Sequence, residues 1–133
     1  MSFFEWDAKV YSVKVQEMDK EHIILIDKMN KLYEANEKNQ PFETIKNLLE
    51  DFGNYTVTHF RDEEAFMEKI KFEGVEIHKE IHRQLLTQFQ KHVTEFESTK
   101  VLSRGFFNFL KVWLTSHIRG IDMKYSEVAN RAA

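Results

Sequence analysis

Four stretches of this chain repeat their inward-type residues at alternating steps of three and four, which leaves little freedom in the fold. Met18, His22, Leu25, Met29 and Leu32 form the first series, and Ile45, Leu49, Phe52, Thr56, His59, Glu63, Phe66 and Ile70 the second. Val75, His78, His82, Leu85, Phe89, His92 and Phe96 form the third, and Phe106, Leu110, Trp113 and His117 the fourth. A 3.5-residue period is the seam of a helix packed lengthwise against its neighbours. One Pro and four Gly in 133 residues leave few of the turns that β-rich folds need. The series therefore predict an all-α chain: an up-down-up-down four-helix bundle, since the connections are short. The helices should cover about 19–37, 41–69, 75–97 and 104–130. Asp19 and Ser103 stand as N-caps and Pro41 at a first helical position. Gly74 is the only punctuation at the second junction. Residues 1–17 lack a seam, and their Phe3, Phe4, Trp6, Val13 and Val15 predict an irregular N-terminal arm packed across the bundle. The chain is expected to be one domain, 1–133, with the arm over 1–17 and the bundle over 18–130.

Composition excludes several function classes. Nineteen basic against 22 acidic residues give a net charge of −3, without the basic excess of a nucleic-acid-binding domain. The absence of cysteine removes disulfides, thiolate metal sites, iron–sulfur clusters and a cysteine nucleophile together. No apolar run is long enough to span a membrane. Met1 to Asp7 has neither the basic nor the apolar region of a signal peptide. The expectation is a soluble cytoplasmic protein, most simply a monomer, with no nucleic-acid or membrane partner.

The seams themselves are not purely apolar. They carry His22, then His59 and Glu63, then His78 and His82, then His117, so five of the six histidines point inward. Burying that many imidazoles with a carboxylate needs a strong compensating interaction, and metal coordination supplies one. His59 with Glu63, and His78 with His82, are i,i+4 pairs that reach one region from one helix face. Counted from a turn near Lys71, the first pair lies about 10 residues before and the second about 9 after. At roughly 1.5 Å per residue they stand at one height. His22 and His117 fall within about one turn of the same layer. His92 lies about 15 Å further along and reads as an end-of-bundle residue. Asp122 follows His117 at i+5, about 140° off the seam on a regular helix. A one-residue π-bulge, eased by Gly120, would return it to the seam and let Tyr125 follow. Spacing alone leaves a solvated Asp122 equally open.

The ordered set His22, His59-xxx-Glu63, His78-xxx-His82, His117-xxxx-Asp122 resembles the hemerythrin family. The flanking residues agree: Met18-Asp19-Lys20-Glu21-His22, His59-Phe60-Arg61-Asp62-Glu63-Glu64, His78-Lys79-Glu80-Ile81-His82 and Trp113-Leu114-Thr115-Ser116-His117-Ile118. The resemblance runs from about Trp6 to Tyr125 and is closest to single-domain bacterial members. It implies two iron ions (Fe2+/Fe3+) with a bridging oxo or hydroxo group. His78, His82 and His117 would hold one, His22 and His59 the other, with Glu63 and Asp122 bridging. That ligand set leaves one position open on the two-histidine iron, and the family fills it with O2.

Leu25, Phe60, Leu114 and Ile118 are the candidate walls of the O2 pocket, all apolar. Thr56 is the one hydroxyl nearby. Trp113 reads as core packing, and Asp62 and Glu64 as solvated charges or partners of ligand N–H groups. A dry pocket without a proton donor favours reversible binding over O–O cleavage. The resemblance thus implies an O2-binding protein rather than an enzyme, for storage, transport or delivery to an intracellular O2-consuming partner. The alternative is an O2 or redox sensor, or a di-iron oxidase, peroxidase or nitric-oxide-handling enzyme.

Overall fold

Connections of a few residues force consecutive helices to run antiparallel, and the pairing of residues across the bundle shows it. The computed structural model describes residues 3–131, so residues 1–2 of the expected arm and 132–133 lie outside it. Its elements are α1 (Ala8–Tyr11), α2 (Gln16–Glu37), α3 (Phe42–Lys69), α4 (Val75–Thr99), α5 (Arg104–Ser116) and α6 (Met123–Arg131). A π segment, His117–Asp122, joins the last two into one long rod. No strand occurs among the described residues. Glu21 meets His59 while Lys28 meets Asp51, so α2 and α3 run in opposite senses. His82 meets His117 while His92 meets Phe106, so α4 and α5 do the same. The expected helices are all present, and no described helix is long and apolar enough to cross a membrane.

The helix ends differ from expectation in three places. Ser103 does cap α5, accepting from the Phe106 amide at 3.1 Å. Asp19 is not an N-cap: α2 begins three residues earlier, at Gln16, with Val15 as its uncapped N-terminal neighbour. Pro41 sits at the N-cap of α3 rather than inside it. The second junction turns on Lys71, at φ 56°, rather than on Gly74. Gly74 is needed for space instead, because a Cβ there would lie 2.8 Å from the Phe72 ring.

Asp19 has another task. Its two oxygens accept from the Ser12 hydroxyl at 2.6 Å and the Val13 amide at 2.8 Å, fixing the arm to the first turn of α2. Asn30 exchanges two 2.8 Å bonds with the backbone of Phe4, and Ser126 donates to the Val13 carbonyl. Phe4 and Val13 are thereby buried, and Phe3 stacks on Tyr33 at 4.4 Å. The arm closes the seam between α2 and the terminal rod, and it carries the short helix α1.

Asp19→Ala strips the arm of two acceptors and strands the Val13 amide, which costs about 1–3 kcal/mol. Thermal unfolding should show a lower melting temperature, with faster proteolysis in residues 3–15. Asp19→Asn, which keeps one acceptor, should lose less. An unchanged melting temperature in Asp19→Ala would mean that apolar packing alone holds the arm.

Candidate metal centre

Seven side chains converge at mid-height in the bundle, and all seven are buried: His22 from α2, His59 and Glu63 from α3, His78 and His82 from α4, and His117 and Asp122 from the π segment. Their donor atoms form two groups, Glu63 with His78, His82 and His117, and Glu63 with His22 and His59. Glu63 belongs to both. Its Oε1 lies 3.1 Å from His78 Nε2 and 3.0 Å from His82 Nε2, while its Oε2 lies 3.5 Å from His22 and 3.4 Å from His59. Asp122 spans them in the same way: Oδ1 is 3.1 Å from both His78 and His117, and Oδ2 is 3.1 Å from His22.

The π segment is what delivers Asp122. A single wide turn from His117 to Asp122 absorbs one residue and returns the carboxylate to the seam. The solvated alternative for Asp122 is thereby excluded, since the side chain is fully buried. Glycine is not required for the distortion. A Cβ at Gly120 would meet nothing within 4 Å, and its φ is not positive. The segment is held instead by its flanks, with Ile118 inward on one side and Tyr125 on the other.

The donor chemistry fits cations. His117 Nε2 lies 3.2 Å from His78 Nε2 and 3.1 Å from His82 Nε2, so three ring nitrogens face one another. Neutral imidazoles cannot all donate at such a meeting point, and a positive ion between them relieves the conflict. Both nitrogens of His22 and both oxygens of Asp122 are buried and lack a well-aligned hydrogen bond, although His22 Nε2 and Asp122 Oδ2 stand 3.1 Å apart. Orphaned groups of this kind are costly unless something else binds them. Without metal, protons take that place. Burial opposes charge on His22 and His117, but the Asp122 and Glu63 carboxylates outweigh it and raise them to about 9 and about 10. Burial would likewise raise Glu63, yet His59, His117, His22 and His78 hold it well below the usual carboxylate range.

An outer ring of partners aims the imidazoles. His59 Nδ1 donates to Glu21 at 2.7 Å and His82 Nδ1 donates to Glu64 at 2.8 Å, which leaves each Nε2 for the centre. The Tyr125 hydroxyl donates to Glu63 Oε2 at 2.9 Å. Burial and the two carboxylates push its phenol pKa upward, so it stays a donor. Of the two readings open to Glu64 and Asp62, Glu64 takes that of a partner to a ligand imidazole and Asp62 is exposed. The roles of Glu21 and Tyr125 were not legible. Glu21 sits about 100° off the seam, and Tyr125 on the resumed seam looks like any buried aromatic.

The apolar candidates are also placed. Leu25, Phe60, Leu114 and Ile118 are all buried. Phe60 lies flat on His82, 3.8 Å centre to centre at 4°, and is 5.9 Å from His59. Its nearest partner is thus on the three-histidine side, not the two-histidine side. Trp113 packs edge-on against Phe60, one layer behind that ligand ring. The Thr56 hydroxyl is spent on the Phe52 carbonyl of its own helix at 2.8 Å. His92 packs edge-on against Phe106 and at a tilt against Phe109, away from the centre.

Comparison with known proteins follows this geometry. The hemerythrin HHE cation binding domain profile matches residues 13–129. A hemerythrin-like protein of Naegleria gruberi is 32% identical over 125 residues, spanning 94% of this chain and 92% of its own length. The bacteriohemerythrin of Pseudomonas aeruginosa is 25% identical over 118 residues, or 89% of this chain and 76% of that protein. A wild-type hemerythrin crystal structure shares the fold with a TM-score of 0.87 at 24% identity, covering 96% of this chain and 98% of that one.

Metal uptake by the metal-free chain must displace protons from His22 and His117, which are charged up to about 9 and about 10. Apparent affinity should therefore fall as pH drops below 9, roughly tenfold per unit for each proton displaced. Titration with a divalent ion in weak buffer should release protons at pH 7. Uptake with no proton release would mean that these imidazoles are already neutral.

Proposed function

The chain belongs to the hemerythrin family, and from that membership we propose that it binds dioxygen reversibly at a non-haem di-iron centre. The role is O2 storage, transport or delivery to an intracellular O2-consuming partner. His78, His82 and His117 would hold one iron and His22 and His59 the other, with Glu63 and Asp122 shared between them. The observation that carries this reading is that each buried carboxylate puts one oxygen toward either histidine group. Bound there, a ferrous pair supplies the electrons that reversible dioxygen binding draws on.

The chain's own residues favour binding over catalysis. Glu21 and Glu64 orient His59 and His82 through Nδ1. Tyr125 commits its proton to Glu63 and Thr56 commits its own to Phe52. Leu25, Leu114 and Ile118 line the interior with buried apolar surface and exclude water. A pocket without a free proton donor does not assist O–O cleavage and leaves release as the easier path.

The test is an iron count with an optical spectrum of protein reduced anaerobically, exposed to air, then purged. Two irons per chain and visible bands that appear in air and vanish on purging are expected. Bands that never reverse would indicate a redox role instead. His117→Ala should lose iron and lower the melting temperature, since it breaks a buried network worth several kcal/mol. Two irons retained in that variant would overturn the ligand assignment. Leu114→Ala should keep its iron but autoxidise several-fold faster as water enters, while losing about 2–5 kcal/mol of stability. Oxidation at the parent's rate would remove Leu114 from the pocket.

A further inference from the structure

The two halves of the centre do not offer a cation the same surroundings. One half is faced by the ring nitrogens of His78, His82 and His117, with Glu63 Oε1 and Asp122 Oδ1. The other is faced by His22 and His59, with Glu63 Oε2 and Asp122 Oδ2, so four donors stand against five. Glu63 also leans to the richer side. Its Oε1 is 3.0 and 3.1 Å from His82 and His78, whereas its Oε2 is 3.5 and 3.4 Å from His22 and His59. Bracing does not separate the halves, because each has one imidazole anchored through Nδ1, His82 by Glu64 and His59 by Glu21.

Tyr125 adds a second inequality. Its hydroxyl donates to Glu63 Oε2 at 2.9 Å and so engages the oxygen of the two-histidine half alone. Among the described residues the hydrogen-bonding neighbours of Oε1 are the imidazoles of His78 and His82. A proton donor and a cation on one carboxylate oxygen draw on the same electron density, so each weakens the hold of the other, and by the same factor. The Tyr125 ring is fully buried, with Phe66 edge-on to it and His78 tilted against it. Packing therefore fixes which oxygen the hydroxyl meets.

We propose that the two halves hold their ions unequally: the three-histidine half fills first and empties last, and Tyr125 widens the gap by engaging the Glu63 oxygen of the other half. The inference rests on the ligand assignment proposed above. Outer partners alone are worth about 10–100-fold in metal affinity, so a whole additional imidazole should separate the two steps by at least about tenfold. A shortage of metal then leaves one-ion chains rather than a mixture of empty and full ones. The labile ion is the one in the two-histidine half, where the family resemblance leaves the open position for O2.

The test starts from the full chain loaded with two zinc ions, a diamagnetic probe that lets the histidine ring signals be followed by NMR. A graded series of chelator should remove one ion at least about tenfold more readily than the other. In the one-ion species the His22 and His59 signals should move toward their metal-free positions, while those of His78, His82 and His117 stay shifted. The order should hold at two pH values a unit or more apart, which separates ligand count from proton competition. Tyr125→Phe keeps the ring in its packing and removes only the hydroxyl. It should tighten the two-histidine ion about tenfold and leave the other unchanged, so that the gap narrows. A merely structural Tyr125 would loosen both ions, and that result, or an unchanged gap, would overturn its part in the proposal. Two ions that leave in a single step, or earlier loss from the three-histidine half, would overturn the order and leave the ligand assignment standing. A chain that never holds two ions would overturn both.

Discussion

Glu63 is fully buried and faces four imidazoles at 3.0 to 3.5 Å, with one oxygen toward each histidine group. An isolated carboxylate in such a place would cost several kcal/mol and would protonate instead. It persists as an anion because cationic character surrounds it, from protons on imidazole in the metal-free chain or from metal ions in the loaded one. The same logic fixes Asp122, which burial and the Glu63 charge disfavour and which His117 and His22 rescue. The height of four helices, the register of the i,i+4 pairs and the π segment are all set by the need to bring these two anions and five imidazoles into one layer.

That requirement is paid for in irregular backbone. A regular α-helix from Arg104 onward would carry Asp122 about 140° away from His117 and leave a hole where the second shared carboxylate belongs. The π segment spends one extra residue at the centre, and the rod then continues as α6 with Tyr125 directed back at Glu63. The arm completes the arrangement from outside. Ser126 on α6 and Asp19 on α2 both hold the chain around Val13, so the N-terminal strap and the end of the rod are tied together just beyond the centre.

The two flanks of the bundle are finished differently. On the α2–α3 side, Glu21 covers His59, and the Lys28–Asp51 pair bridges the two helices about two turns away. Between α4 and α5 the wall behind His117 is apolar and open. A bundle that surrounds its centre evenly would have no such asymmetry.

The periodicity of four seams determined the helices, and the polar residues inside those seams determined six of the seven converging side chains. Both are properties of spacing along one helix, which a linear sequence carries in full. Equal heights followed as well, because short loops make residue counts from each turn comparable. The hydroxyl of Thr56 and the partner of Glu64 were narrowed to a few options by the same reasoning. What the tertiary structure alone decided depends on distances between helices. Whether Asp122 turned inward rested on a backbone irregularity with no steric signature, since Gly120 proves unnecessary for it. Glu21 and Tyr125 gained their roles only when α2 met α3 and the rod met Glu63. Asp19 resembled a helix cap in sequence, and its acceptance of the arm's Ser12 and Val13 required the arm to fold back. Seams report which face of a helix is inward; which atom then meets which is fixed by packing across elements far apart in the chain.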